Sequence, residues 1–155
     1  MNQTGIDIAD ILKRLQEELA ALDTFVALLK HEQQILVSSD AEPLLDLAPQ
    51  KVQAAETLGA RAAQRAQSIP AEPGRVESWL RQHAPAGLNT WNAIQRLGQE
   101  AQQLNRTNGS LIQVRMRYNQ QALQALLGSS EQASGLYSAK GKADLPTSGR
   151  TLGSG

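Results

Sequence analysis

The sequence predicts an all-α fold: an antiparallel bundle or extended hairpin of long, coiled-coil-like helices with a disordered C-terminal tail. Apolar residues make up 41% of the chain and aromatic residues only 3%, a balance typical of helices rather than of sheets. Apolar side chains recur with heptad spacing in the first segment and in the last. Gly and Ser are frequent after Leu127, where too few apolar residues remain to form a core.

The first predicted helix spans about residues 6–37. Its apolar side chains form two series with a seven-residue period, which predicts an a/d seam over four heptads. The a series is Leu12, Leu19 and Val26, with Gln33 at its fourth place, and the d series is Ile8, Leu15, Leu22, Leu29 and Leu36. Acidic residues between them, such as Glu17 and Glu18, are expected to lie on solvated faces.

The second predicted helix spans about residues 40–68, and a short helix follows at about residues 75–83. The second helix is poor in large side chains. Its apolar residues at helical spacing are Leu44, Leu45, Ala48, Val52, Ala55, Leu58, Ala62, Ala66 and Ile69. Because an interior proline removes a backbone hydrogen bond, Pro49 predicts a kink or short break near Ala48.

The last predicted helix spans about residues 88–127 and passes through Asn108-Gly109. An Asn-Gly pair between apolar flanks is a strong hairpin signal. However, two heptad series keep their phase across it, and a hairpin would have no reason to preserve them. The series are Leu97, Leu104, Leu111 and Tyr118, and Ile94, Ala101, Asn108, Arg115 and Ala122. Residues 1–127 are thus predicted to form one helical domain, and residues 128–155 a flexible tail whose bulky apolar pair is Leu136-Tyr137.

The residue types disfavour an enzyme, and we predict no catalytic residue, cofactor or metal. The chain has no cysteine, and it carries none of the common phosphate-binding, serine-nucleophile or zinc-protease motifs. His31 and His83, on different segments, are expected at the surface. A formal net charge of zero argues against nucleic acid, although Arg61 and Arg65 could form a basic strip. The sequence shows no signal peptide and no apolar run long enough to insert into a membrane, which predicts a cytoplasmic protein.

Polar side chains lie along or beside the apolar seam of the last helix, namely Asn105, Asn108, Arg115 and Asn119. Two interpretations remain open. These groups could hydrogen-bond inside the bundle and determine helix register. Alternatively, they could orient a partner's amphipathic helix in a groove.

The chain resembles the FlgN family of flagellar type III export chaperones. The resemblance rests on four blocks in order: Trp91-x-x-Ile94, Leu104-Asn105-x-x-Asn108-Gly109-x-Leu111, Asn119-Gln-Gln-Ala-Leu123, and Leu136-Tyr137 followed by Gly141. It implies a cytosolic chaperone that binds the C-terminal helical region of hook–filament junction proteins, prevents their premature assembly and delivers them to the export gate.

The same resemblance implies the site residues. The family's C-terminal cargo-binding region corresponds here to Asn105, Asn108, Gly109, Leu111, Ile112, Asn119, Leu123 and Leu126. The tail tyrosine that docks on the cytoplasmic domain of the export-gate protein corresponds to Tyr137, with Leu136 beside it. The alternative is a structural coiled-coil protein whose seams are covered by self-association, and a homodimer is open in either case.

Overall fold

A computed structural model describes the backbone of residues 5–140 and the side chains of residues 5–129. The helices are α1 (Ile8–Leu36), α2 (Leu44–Ser68), α3 (Val76–His83) and α4 (Leu88–Lys140), and short 3₁₀ turns at Pro73–Arg75 and Pro85–Gly87 flank α3. No strand occurs among the described residues, and the all-α prediction is confirmed. The chain divides into two compact units, Met1–Ile112 and Gln113–Gly155.

In the first unit, α1 and α2 form an antiparallel pair. Asp7 caps α1 by accepting a hydrogen bond from the backbone N–H of Asp10 at 3.2 Å. One turn later, Arg14 donates to Asp10 at 2.6 Å, and this hydrogen bond raises the pKa of the Arg14 guanidinium. Of the predicted kink or short break near Ala48, the break is absent, because α2 is helical throughout Leu44–Ser68. Pro49 lies within the second turn of α2, so it removes one backbone bond near the helix end.

The core lies between α1, α2 and the first part of α4, and α3 covers it at one end. Leu15, Leu29 and Leu80 have no exposed surface. The turn before α4 packs closely on α1, because a Cβ added at Gly87 would lie 3.0 Å from the Leu15 side chain. Glycine at this position therefore permits the close approach that brings α4 back alongside α1.

The packed face of α1 includes a buried series that lies one residue before the predicted a series. The predicted d positions Leu15, Leu22, Leu29 and Leu36 are buried, as expected. A further series, Ile11, Glu18, Phe25 and Glu32, is buried as well. Of the predicted a positions, Val26 is buried, and Leu12, Leu19 and Gln33 are half-buried. The expectation that Glu18 is solvated is wrong, since it is only 3% exposed. Because the charged residues Glu18 and Glu32 occupy two of its four positions, the apolar pattern did not identify this further series as a heptad seam.

The packed face of α2 also differs from the predicted one, because charged residues occupy some of its positions. The residues that face the bundle are Leu47, Lys51, Ala54, Leu58, Arg61 and Arg65, which follow heptad spacing. Leu45 and Val52, which the apolar pattern placed on the packed face, are 77% and 59% exposed. Ala55 and Ala66 are exposed as well. The packed face of α2 is therefore half composed of cations, whose partners are the acidic residues of α1.

The last helix is continuous through Asn108-Gly109, as predicted, and no residue there has a positive φ. Ile94, Ala101 and Asn108 are buried, and Leu97, Leu104 and Leu111 are half-buried. The helix does not end at Leu127 but continues to Lys140. Ala, Gln, Glu and Leu between these positions have good helix propensity, and the single glycines cost only about 1 kcal/mol each. The part of the predicted tail from 141 to 155 lies outside the described residues.

Candidate functional site

A buried polar cluster joins α4 to the other two long helices at Asn108. Its Nδ2 donates to the backbone oxygen of Leu29 at 2.9 Å and to Glu32 Oε1 at 2.8 Å. Lys51 of α2 donates to both carboxylate oxygens of Glu32, at 3.0 and 3.1 Å. Asn108 is 1% exposed, and its Oδ1 is buried without a protein partner. The Glu32 carboxylate of α1 therefore accepts hydrogen bonds from both α2 and α4, and so links the three long helices.

A second cluster of the same kind lies in the first half of α1, at Glu18. Arg65 holds Glu18 in a two-point hydrogen bond, at 2.6 Å through Nε and 3.1 Å through Nη2. The Arg65 guanidinium carbon lies 4.9 Å from the ring centroid of Trp91 on α4. Paired charge and a cation–π contact make this burial favourable. Glu18 and Glu32 are separated along α1 by about 21 Å at 1.5 Å per residue, so the clusters hold the bundle at two levels.

These clusters decide the role of several residues that the sequence left open. Arg61 and Arg65 do not form a free basic strip, because they bind Glu17 at 3.0 Å and Glu18. Asn108 bonds within the first unit, which corresponds to the interpretation that polar seam residues determine register. Both clusters stabilise the packing of the helices, since their polar groups bind other residues of the first unit.

The exposed part of α4 is a different kind of surface. From Gln113 to Leu127, every residue except the half-buried Arg115 is exposed. Six of these residues are large and apolar, and each is more than half exposed: Val114, Met116, Tyr118, Leu123, Leu126 and Leu127. Exposed apolar side chains grouped in this way are typical of an interaction site. We define residues 113–127 as the α4 surface.

The apolar residues of the α4 surface form two stripes around the helix axis. Stripe 1 consists of Met116, Leu123, Leu126 and Leu127, with Asn119 beside it, and stripe 2 consists of Val114, Tyr118, Ala122 and Ala125. At 100° per residue, the centres of the two stripes are about 140° apart. The remaining side of the helix carries Arg117 and the glutamines 113, 120, 121 and 124. The helix therefore has one polar side and two apolar ones.

The structure distributes the predicted cargo-binding residues over both units. In the first unit, Asn105, Gly109 and Ile112 are exposed, Leu111 is half-buried and Asn108 is buried. A Cβ added at Gly109 would meet nothing within 4 Å, so this glycine serves no close approach within the chain.

In the second unit, the predicted residues Asn119, Leu123 and Leu126 all lie on or beside stripe 1. The prediction did not include Met116, Leu127 or any residue of stripe 2. Their signal is present in the sequence as apolar side chains at spacings of three and four, such as Val114, Tyr118 and Ala122.

The predicted export-gate residues Leu136 and Tyr137 lie on the backbone of α4 before its end at Lys140. Their side chains are outside the described residues, so their docking role stays a prediction.

The histidine and carboxylate side chains in the described part of the chain do not gather at one site. His31 and His83 are exposed, as predicted, and the His83 ring stacks on Trp79 at a centroid distance of 4.7 Å. The described residues contain no cluster of three or more histidine or carboxylate side chains that could hold a metal ion. Among them no helix is apolar over a length sufficient to cross a membrane.

Comparison with protein-family models identifies a family for this chain. A family model described as FlgN protein matches residues 1–144, which is most of the chain. Neither a search of curated proteins nor a search of solved structures finds a match. The family match includes all three long helices and the whole α4 surface.

Proposed function

This chain belongs to the FlgN family of flagellar export chaperones, and from that premise we propose that it is a cytosolic chaperone for hook–filament junction proteins. It binds their C-terminal helical region, prevents premature assembly and delivers them to the membrane export gate. One observation supports this proposal above the others: the α4 surface exposes six large apolar side chains on a single helix.

Binding on the α4 surface follows from burial of apolar side chains. An amphipathic helix of the cargo packs its apolar face on stripe 1, in the manner of a coiled coil. Each Leu or Met side chain that leaves water contributes about 1.5–3 kcal/mol of transfer free energy, before the entropy of association is subtracted. The Asn119 amide beside the stripe supplies hydrogen bonds that determine the register of the bound helix. The cargo's own assembly face is covered while it is bound.

Delivery requires a second contact, and the proposed one is Leu136 with Tyr137. These residues lie beyond the α4 surface on the same helix, so one chain can hold cargo and gate protein through different residues. An aromatic side chain next to an aliphatic one is a common anchor for a small docking site. The gate protein's cytoplasmic domain would be the partner of this pair.

Isothermal titration with the C-terminal helical fragment of each hook–filament junction protein from the same cell tests cargo binding. We expect saturable binding by the full chain and binding at least 10-fold weaker for Leu123→Glu, since a carboxylate cannot be buried in an apolar interface without a partner. Gln124→Glu is the matched control, because it adds the same charge on the polar side of the helix. The absence of binding by the unmodified chain at concentrations well above micromolar would reject the chaperone proposal.

A separate titration with the cytoplasmic domain of the export-gate protein tests delivery. Tyr137→Ala is expected to abolish that binding and to leave cargo affinity unchanged. Equal loss of both affinities would mean that Tyr137 belongs to the cargo site instead.

Self-association is the alternative occupant of the α4 surface. Light scattering and melting temperatures at several protein concentrations distinguish it, because the melting temperature of an obligate dimer rises with concentration.

A further inference from the structure

We propose that the α4 surface binds two helices of its cargo at once, one on each stripe, and that these helices carry acidic residues beside their apolar faces. The inference rests on the proposed function and specifies its ligand: a pair of helices, either a hairpin or two strands of a coiled coil.

The first observation is the angle between the stripes. The two stripes lie within an arc of roughly 220° of the helix circumference at 100° per residue, with Arg115 between them. A helix that packs on one neighbour typically has an apolar face about 100° wide. A single partner helix on stripe 1 would thus leave stripe 2 in water, including Tyr118 at 72% exposed and Val114 at 54%.

The second observation is the equal exposure of both stripes. Met116 and Leu123 of stripe 1 are each 56% exposed, which is close to the value for Val114 of stripe 2. In the first unit, by contrast, α4 buries Ile94, Ala101 and Asn108 almost completely. Neither stripe of the α4 surface has such a neighbour within its unit among the described residues. Both stripes therefore offer exposed apolar side chains to a partner.

The third observation is charge, which separates a cargo from a second copy of this chain. Residues 101–130 contain Arg106, Arg115 and Arg117 and no Asp, Glu or Lys. Two copies joined through the α4 surface would bring their Arg117 side chains together, and the nearest carboxylates in the sequence are Glu100 and Glu131, outside that surface. Cargo helices with Asp or Glu flanking their apolar faces instead match this positive charge, and charge complementarity of this kind selects the partner and its orientation.

Single substitutions on each stripe test whether both are covered. Leu123→Glu changes stripe 1, Tyr118→Glu changes stripe 2 and Gln124→Glu changes the polar side; all three positions are exposed, so each variant should fold, which circular dichroism checks. The probe is the C-terminal helical fragment of the hook–filament junction protein that binds the full chain most tightly. We expect each stripe variant to weaken binding at least 10-fold and the control to change it less than about 3-fold.

The outcomes separate the inference from the proposed function. Loss of affinity in the stripe 1 variant alone overturns the pair of helices and leaves the chaperone function intact. The absence of binding by the unmodified chain would reject both the pair of helices and the proposed chaperone function. Normal affinity in both stripe variants means that the cargo binds elsewhere, which also overturns the inference.

Photocrosslinking identifies what lies on each stripe. A photoreactive residue in place of Tyr118, and separately in place of Leu123, is expected to attach to two different helical segments of the fragment. Attachment of both to one segment, or to a second copy of this chain, would contradict the pairing.

Discussion

Replacement of Asn108 by aspartate changes the buried cluster that joins the three long helices. The substitution is nearly isosteric, so packing is preserved while the amide donor is exchanged for an acceptor. The Nδ2 group now donates to the backbone oxygen of Leu29 and to Glu32 Oε1, at 2.9 and 2.8 Å. In the variant, a carboxylate oxygen would face both acceptors at these distances.

The expected loss in the free energy of unfolding is about 3–5 kcal/mol. A neutral hydrogen bond contributes about 1 kcal/mol and one to a charged acceptor about 1.5–3 kcal/mol. The new carboxylate also adds an unpaired buried charge, for which about 3–5 kcal/mol is typical when a partner is missing. Lys51 moderates the repulsion, because it already contacts both oxygens of Glu32. With an m-value of about 2 kcal/mol per molar, the urea midpoint should fall by about 2 M.

Asn105→Asp is the matched control on the same helix. Asn105 is exposed, so the identical chemical change should alter the free energy of unfolding by less than about 0.5 kcal/mol. Equal stabilities of the two variants would refute the assignment of the Asn108 amide as a donor to Glu32. A double-mutant cycle with Glu32→Gln adds a direct readout, since contacting residues should show a coupling energy of about 0.5–3 kcal/mol.

Two further stability changes follow from the same structure, and urea unfolding measures both. Glu18→Ala should lower the free energy of unfolding by about 3 kcal/mol, because it leaves the Arg65 guanidinium buried without its partner. Glu17→Ala, at a half-exposed ion pair, should lower it by less than about 1 kcal/mol, and the reverse order would contradict the two-level bundle. Gly109→Ala should raise the free energy of unfolding by about 0.8 kcal/mol, since the added methyl group meets open space in a continuous helix. A decrease on Gly109→Ala would indicate an unrecognised close neighbour, and unchanged stability with weaker cargo binding would place the partner's helix against this glycine.

Heptad spacing predicted the presence of the three long helices, but it ended α4 too early and assigned parts of two helix faces wrongly. On α1 and α2, apolar residues alone indicated seams through Leu12 and Val52, whereas the packed series pass through Glu18 and Lys51. In each helix, the packed series lies one residue before the series that the apolar pattern indicated. Sequence patterns count charged residues as solvated by default, and that default fails where two helices bury opposite charges against each other.

The Asn108-Gly109 pair illustrates the complementary case. Local chemistry favoured a hairpin, but the heptad phase on both sides favoured a continuous helix, and the helix is what forms. Whether the Asn108 amide faced the bundle or a partner could not be read from phase alone, because both interpretations place it on the same seam. The contact with Glu32 decides it, and those two residues are 76 positions apart in the chain.

By itself, the sequence determined the all-α class, the three long helices, the continuity of α4 and the family resemblance, because these depend on local propensity, period and motif order. Only the tertiary structure decided which carboxylates are buried, which faces of α1 and α2 meet and which apolar side chains of α4 are exposed among the described residues. The physical reason is that the free energy of burying a charge depends on its partner. Glu18 is stable in the core only because Arg65, 47 residues away, is positioned to bind it.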